Sequence, residues 1–168
     1  TIMITKSDNT ASNLLIDLLG RDYLNESFHK LGLRNTNLAR KMMDFFSRKQ
    51  GRENYTTARD MAFLLEEIYY GRLINREYSR RCLEMLMAQR IRDRIPARLP
   101  PGTPVAHKTG LEYGVCHDAG IVFVPEGNFI ICVLTRHNYK NSYPAKRFIA
   151  RIAGKVYDFY RTEIPLAT

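Results

Sequence analysis

Two short groups of polar residues, about a hundred positions apart, carry the functional groups that could do chemistry in this sequence. Ser7-Asp8-Asn9 offers a hydroxyl, a carboxylate and an amide, and Lys108-Thr109-Gly110 offers an ammonium and a second hydroxyl beside a residue without a side chain. An ammonium attracts a carboxylate and makes a nearby hydroxyl easier to ionise. Together the two groups predict a pocket that holds an anionic acyl donor.

The second group has an expected role for each residue. We expect Lys108 to bind the carboxylate of a substrate and Thr109 to donate a further hydrogen bond to it. Gly110 would let a ligand lie against the strand backbone. Taken alone, the same triplet also fits a solvated lysine that precedes a turn glycine.

The first group can be interpreted in two ways. In the catalytic interpretation Ser7 passes a proton between the nucleophile and the leaving nitrogen, and Asn9 binds an amide of the substrate. Asp8 then points inward and holds its loop by accepting backbone N–H bonds. In the alternative these residues only cap the helix that follows, because Ser, Asp and Asn all favour the N-cap position.

The order and separation of the two groups match two of the three signature motifs of the serine β-lactamases and penicillin-binding proteins. The flanking segments 2–6 and 10–15 extend the similarity, and the chain resembles the class A β-lactamase family over essentially its whole length. The resemblance implies that a β-lactam or a D-alanyl peptide acylates a serine, followed by hydrolysis, outside the cytoplasm and without a metal or cofactor. It also implies that the backbone N–H of Leu111 is one donor of the oxyanion hole.

The third motif of the family, a nucleophilic Ser-x-x-Lys, should lie before Ser7 and is absent from this chain. We therefore expect the chain to lack an N-terminal segment and to be inactive alone. Ser27-Phe28-His29-Lys30 has the right spacing but follows the first motif, and we interpret it as a coincidence. The gap would expose an apolar groove and a sheet edge, so we expect pairing with a second copy or with a separate N-terminal fragment.

The second departure from the family is the lack of an evident general base for deacylation. The family pattern, laid over residues 38–44, puts Met42 near the position of the omega-loop glutamate. Asp44 is a substitute if the register shifts, although its side chain is shorter. Without a base an acyl-enzyme persists, which makes a penicillin-binding or cell-wall-sensing domain with little turnover the alternative function.

The third departure concerns the second positive charge that many class A enzymes place beside the substrate. Many class A enzymes carry an arginine on the strand next to Lys-Thr-Gly, where this sequence has His117. We expect His117 either to supply a titratable charge or, as we favour, to be a polar residue beside Asp118. His107 should face away from Lys108, because side chains alternate along a strand.

The elements that must position these groups follow from hydrophobic periodicity. Helical spacing recurs through residue 89, interrupted by a polar loop over 33–54, and Thr57 with Asp60 forms a capping pair. Strands are predicted at 105–110, 119–124 and 129–135, followed by a helix from about 142 to 159. We expect an α+β fold in one domain, helical over 1–104 and with strands plus a C-terminal helix over 105–168.

The amino-acid composition limits which other classes of function are possible. The 168 residues are 45% hydrophobic, enough for a core, and no apolar run is long enough to span a membrane. The net charge of +9 leaves a non-catalytic basic interaction domain as a third hypothesis. Its arginines, clustered over 76–81 and 90–98, predict a solvated basic face, and without interleaved aromatic residues we do not expect nucleic acid as a partner.

The three cysteines form no spaced cluster, and their odd number argues against a disulfide framework. We expect Cys82, Cys116 and Cys132 to be buried thiols. A cross-strand bridge between Cys116 and Cys132 is the alternative.

Overall fold

The computed structural model describes residues 1–138 and 140–163. Helices and strands follow one another within these ranges in the predicted order: helices, then an antiparallel sheet, then a helix. The elements are α1 (Ile2–Thr5), α2 (Asn9–Leu19), α3 (Arg21–Lys30), α4 (Phe45–Lys49), α5 (Ala58–Tyr69), α6 (Arg76–Met87), a 3-10 helix (Ile95–Arg98), β1 (Val105–Glu112), β2 (Val115–Val122), β3 (Phe129–Arg136) and α7 (Tyr143–Glu163).

The sheet has the order β1-β2-β3, with antiparallel pairing throughout. Lys108 lies opposite Ala119 and Gly110 opposite His117. Within the described ranges β1 pairs with β2 alone. One edge of β1 is therefore left for other partners.

Two apolar clusters cover the two faces of the sheet. On one face Val105, Val122 and Phe129 pack with Ile149 and Ala153 of α7. On the other face, Leu65 and Ile68 of α5 and Leu86 of α6 pack against Ala106 and Ile121 and form the second buried cluster. The α+β prediction is confirmed, and the sheet that carries Lys108 lies between helices.

Helix α2 forms at the predicted place, but its apolar face is not covered. Leu14 is 64% exposed and Leu18 77% exposed, while Ile16 is buried. The side-chain carboxylate of Asp8 accepts the N–H of Ala11 at 2.7 Å and so caps the helix. The helix therefore begins at the motif and presents an unpartnered row of leucines.

The segment predicted as an irregular loop contains the short helix α4. It forms because the Asp44 carboxylate accepts the N–H of Ser47 at 2.9 Å. Buried Asp60 anchors the beginning of the segment by accepting bonds from the Asn35 N–H at 2.7 Å and the Thr36 hydroxyl at 2.8 Å. The N–H of Asp60 in turn donates to the hydroxyl of Thr57, as the predicted capping pair requires.

Strand β2 is longer than predicted and begins at Val115 instead of Ala119. Its first half includes the polar pair His117-Asp118, which weakened the hydrophobic signal. All three cysteines are free. Cys116 lies opposite Thr135 and Cys132 opposite Ala119, so the register does not bring the two thiols together. No helix in the described part of the chain is long and apolar enough to cross a bilayer.

Candidate functional site

Ser7 and Lys108, 101 positions apart in the sequence, are in direct contact: the Lys108 Nζ donates to the Ser7 Oγ at 2.6 Å. Ser7 lies between α1 and α2 with a backbone φ of 56°, in the left-handed region that non-glycine residues rarely adopt. The same Nζ donates to the backbone O of Thr109, also at 2.6 Å. The strained turn and the strand therefore place a hydroxyl against an ammonium.

A cavity of about 470 Å³ surrounds this contact. The α1–α2 junction, β1 and the 38–55 loop form its walls. Every residue of the predicted site except Asp8 lines it: Ser7, Asn9, Lys108, Thr109, Gly110 and Leu111. The cavity walls also include Met42, Met43, Glu53, Glu112 and His117.

Burial and nearby charge set the ionisation of Lys108. Burial lowers the pKa of its ammonium to about 8, an effect that the carboxylate of Asp118 opposes and the guanidinium of Arg94 reinforces. At pH 7 the side chain is thus mostly an ammonium, as an anion anchor requires. A modest rise in pH produces the neutral amine.

Asp118 pairs with His107 instead of His117. The Nδ1 of His107 lies 2.9 Å from a carboxylate oxygen of Asp118, and both side chains are completely buried. The other oxygen of Asp118 accepts the N–H of Ile95 at 3.0 Å. His117 is a hydrogen-bonded polar residue, as we favoured, but its partner is not Asp118, because adjacent residues of one strand point to opposite faces. His107 is a core residue facing away from the cavity, as predicted.

His117 does not supply the second positive charge either. Its Nδ1 accepts the N–H of Thr135 at 3.0 Å, and burial holds its pKa below the ordinary histidine value. The ring is therefore neutral at pH 7. It packs against Gly110, where a Cβ would meet a ring carbon at 3.3 Å, so a side chain at residue 110 would have to displace the ring by a few tenths of an ångström.

Arg94 is a functional candidate that the sequence analysis missed. The arginine clusters predict a solvated basic face that includes it, but it is 1% exposed. Its Nε donates to the Cys116 Sγ at 3.2 Å and another guanidinium nitrogen lies 3.1 Å from the Asp93 carboxylate. Its charge lowers the pKa of both Lys108 and His117. The signal available in the sequence was only its place two residues before a proline, which is a weak one.

Three other site residues leave hydrogen-bonding groups for a ligand. Thr109 is 3% exposed, and its hydroxyl makes no hydrogen bond to any residue in the described ranges. Asn9 is the first residue of α2, and its side-chain amide is likewise without a partner in the described ranges. Leu111 follows Gly110 along the cavity wall. Thr109 and Asn9 thus bring polar groups without a partner to the cavity that contains Ser7.

Met42 occupies the wall of the cavity where a general base was considered. Its backbone is fixed by Asn13, a residue that the sequence analysis did not single out. Asp44 does not line this cavity. Its carboxylate caps α4 and faces a separate cleft between α2 and the loop. Asp44 is therefore not placed to replace the missing glutamate.

Four charged side chains close the far end of the cavity in a ring. Arg40 donates to Glu53 at 2.8 Å and to both oxygens of Glu112 at 3.0 Å. Arg48 lies 3.0 Å from the second Glu53 oxygen and also contacts Glu112. Burial works against the charge of Arg40, but its two glutamates raise its pKa above the ordinary value. The ring ties the 38–55 loop to β1 and occupies Glu53, the remaining acid of the loop.

The Ser27-x-x-Lys30 segment has no part in this cavity. The Ser27 hydroxyl donates to the backbone O of Tyr23 at 2.7 Å, and Lys30 pairs with Glu26 at 2.7 Å. The two side chains thus have separate partners. In the part of the chain that the structure describes, no three acidic, histidine or cysteine side chains form a cluster that could hold a metal ion.

The model of one protein family, the Beta-lactamase enzyme family, matches residues 1–160 of the chain. Extended-spectrum beta-lactamase PER-1 of Pseudomonas aeruginosa is 26% identical over 167 residues, which cover 93% of this chain and 54% of PER-1. The chain thus spans about half the length of this relative.

Solved structures resemble the fold closely. PBP-A superposes with a TM-score of 0.84 and is 32% identical, over 95% of this chain and 58% of PBP-A. A beta-lactamase from Sphaerobacter thermophilus has the same TM-score and identity, over 97% of this chain and 62% of its own length. A mutant of PBP-A is known as an acyl-enzyme complex with penicillin-G.

Proposed function

The chain belongs to the β-lactamase enzyme family, and from this premise we propose that it forms the substrate-binding half of a serine acyl-transfer site. Its substrate would be a β-lactam or a D-alanyl peptide, which acylates a serine and is then hydrolysed. The observation that carries the proposal is the 2.6 Å contact between the Ser7 Oγ and the Lys108 Nζ in an open cavity. A hydroxyl held on an ammonium is suited to pass a proton to a leaving nitrogen.

The substrate would lie along β1. The Lys108 ammonium and the free Thr109 hydroxyl bind its carboxylate, and Asn9 binds the amide of its acyl side chain. The Leu111 N–H would be one donor of the oxyanion hole, as in the resemblance, with Gly110 providing the close approach. Asp8 acts indirectly, because its carboxylate caps α2 and thereby fixes the turn that carries Ser7.

The nucleophile would come from a Ser-x-x-Lys segment outside residues 1–168. This is supported by the share of the relatives that the chain spans, between 54% and 62% of their length in those compared. We propose that residues 1–168 and that segment form one domain. The segment belongs either to the same polypeptide or to a separate N-terminal fragment, and the exposed leucines of α2 offer a surface for it.

Turnover would be slow. Met42 brings a thioether to the cavity wall, Asp44 faces away from it, and Glu53 is held by Arg40 and Arg48. Glu112, the other carboxylate that lines the cavity among the described residues, is also held by these two arginines, so water lacks a carboxylate base there. These positions favour, as the second candidate function, a penicillin-binding or cell-wall-sensing protein over an efficient β-lactamase.

A basic interaction domain has less support. Arg80 and Arg81 of the exposed cluster each pair with a glutamate one turn away, and Arg94 is buried. Three arginines of the two clusters are therefore paired or buried instead of free. We place the parent protein outside the cytoplasm, where β-lactams and D-alanyl peptides are encountered.

Covalent labelling tests the proposal. The full-length polypeptide that carries this chain is incubated with a fluorescent penicillin and analysed on a denaturing gel. We expect a serine-linked adduct that forms at least about 10²-fold more slowly in Ser7→Ala and in Lys108→Met, as removal of a proton-transfer group or an anion anchor predicts. Equal labelling rates in the wild type and both variants would refute the proposed roles.

A further inference from the structure

We infer a second activity that goes beyond the proposed function: Ser7 and Lys108 form a nucleophilic pair of their own. In the proposed function Ser7 only passes a proton. Here its Oγ takes an acyl group from a small activated ester, with the Lys108 amine as base, and no Ser-x-x-Lys segment is needed. Serine–lysine pairs are an established way to activate a hydroxyl.

The geometry of a nucleophile and its base is already present. The Lys108 Nζ lies 2.6 Å from the Ser7 Oγ, within the range for direct proton transfer. Its only other hydrogen bond in the described ranges goes to the backbone O of Thr109, and no carboxylate there forms an ion pair with it. Nothing therefore locks the lysine in its charged form. Both side chains face the cavity, where an ester can reach the hydroxyl.

The charges that face Lys108 leave it close to neutrality at mildly alkaline pH. Burial is the main reason that its pKa falls to about 8. From β2, Asp118 favours the ammonium and His117 is neutral; from the segment before the 3-10 helix, Arg94 disfavours the ammonium. Glu112, further along β1, is held by arginines. About half of the Lys108 side chains are therefore neutral amines near pH 8.

The reaction balances without another reactant. The neutral Lys108 amine takes the proton of Ser7 as the Oγ bonds to the carbonyl carbon of an aryl ester such as p-nitrophenyl acetate. The tetrahedral intermediate collapses, the carbon–oxygen bond to the aryl group breaks, and p-nitrophenolate leaves as an anion. An acetyl ester remains on Ser7 and the proton remains on Lys108, which releases it to solvent. Water can later hydrolyse the ester with the neutral Lys108 amine as the base.

An oxyanion donor is available next to the nucleophile. The side-chain amide of Asn9 lines the cavity two residues after Ser7 and has no partner in the described ranges. This amide can donate a hydrogen bond to the carbonyl oxygen and stabilise the charge that develops there as the bond to Ser7 forms. Because Asn9 begins α2, its position is fixed by the same cap that holds Ser7.

Acetylation of residues 1–168 by p-nitrophenyl acetate tests the inference. We expect p-nitrophenolate release with an acetyl group on Ser7, located by peptide mass mapping after neutral hydroxylamine has removed thioesters from the cysteines. Ser7→Ala should abolish that label. The rate of Ser7 acetylation should rise with pH and level off above about 8, as Lys108 loses its proton.

Two further variants separate base catalysis from structural support. Lys108→Arg keeps a cation in the cavity but cannot act as a base, and it should reduce Ser7 acetylation at least about tenfold. Ser27→Ala removes the serine of the chain's only Ser-x-x-Lys sequence and should leave the rate unchanged. Circular dichroism verifies that each variant is folded. Unlabelled Ser7 in the folded wild type, or equal labelling in Lys108→Arg, would overturn the inference.

Discussion

The side-chain amide of Asn13 clamps the backbone of Met42 from both sides. It donates to the Met42 O at 3.1 Å and accepts the Met42 N–H at 2.8 Å. Two bonds between α2 and the loop fix residue 42 on the cavity wall whatever its side chain is. A carboxylate introduced there would therefore be held in the cavity at a defined place.

Met42→Glu should consequently accelerate release of a penicilloyl group from the full-length polypeptide. A positioned general base contributes about 10²–10⁴-fold to such a step. The measurement is the loss of fluorescence from the acylated protein over time. Asp44→Asn is the matched control. It should not change the release rate, because the Asp44 carboxylate caps α4 and does not line the cavity. Release that is insensitive to Met42→Glu would show that deacylation fails for another reason.

Lys108→Met should stabilise residues 1–168 while removing anion binding. The pKa of Lys108 is about 8 in the folded protein and near 10.5 when exposed. The folded state thus binds the proton more weakly than the unfolded state, which disfavours folding below pH 8 by at most about 3 kcal/mol. The penalty fades as the pH rises from 8 to 10.5. Urea unfolding at pH 7 should give the variant an unfolding free energy higher by about 1–2 kcal/mol, and at pH 10.5 the gain should disappear.

Binding of a carboxylate ligand should weaken above pH 8. The ligand favours the ammonium form of Lys108, and that form is lost as the pH passes the pKa of the free site. Isothermal titration with benzylpenicilloate at pH 6.5 and pH 9.5 measures the effect. Lys108→Arg should bind equally at both pH values, since an arginine stays charged. An unchanged affinity of the wild type between these pH values would contradict the anchor role.

Glu112→Gln should loosen the 38–55 loop. The substitution removes the acid that joins Arg40 and Arg48 to β1. Arg40 remains almost fully buried with one glutamate fewer, so we expect a loss of about 1–3 kcal/mol in unfolding free energy. Faster hydrogen exchange should appear across the loop.

Glu84→Gln is the control for this ring. It breaks an exposed pair with Arg80 on α6 and should cost no more than about 0.5 kcal/mol. Similar losses in Glu84→Gln and Glu112→Gln would mean that the ring contributes nothing beyond a surface ion pair.

The sequence predicted those parts of the molecule that depend on local patterns. The Thr57 cap and the alternating residues of β1 each determine their structure within a few positions, and so the order of elements was correct. Helix α4 was missed because one capping bond from Asp44 produces it within a polar loop.

The candidate site was predictable only where a motif marks it. Ser7 and Lys108 were found through their triplets, but the burial of Arg94 depends on tertiary packing beneath β2. The pairing of Asp118 with His107 follows from strand alternation once the true beginning of β2 is known. The ring around Glu112 joins residues 72 and 64 positions apart, which no local pattern reveals.

Nuclear magnetic resonance of labelled residues 1–168 titrated with benzylpenicillin would decide whether one pocket grips an anionic acyl donor. We predict that backbone signals of residues 7–9 and 108–111 shift together along one saturating curve, and that Lys108→Met abolishes the shifts while the spectrum remains that of a folded protein. Shifts confined to other surfaces, or identical shifts in Lys108→Met, would contradict the assignment of this cavity as the binding site.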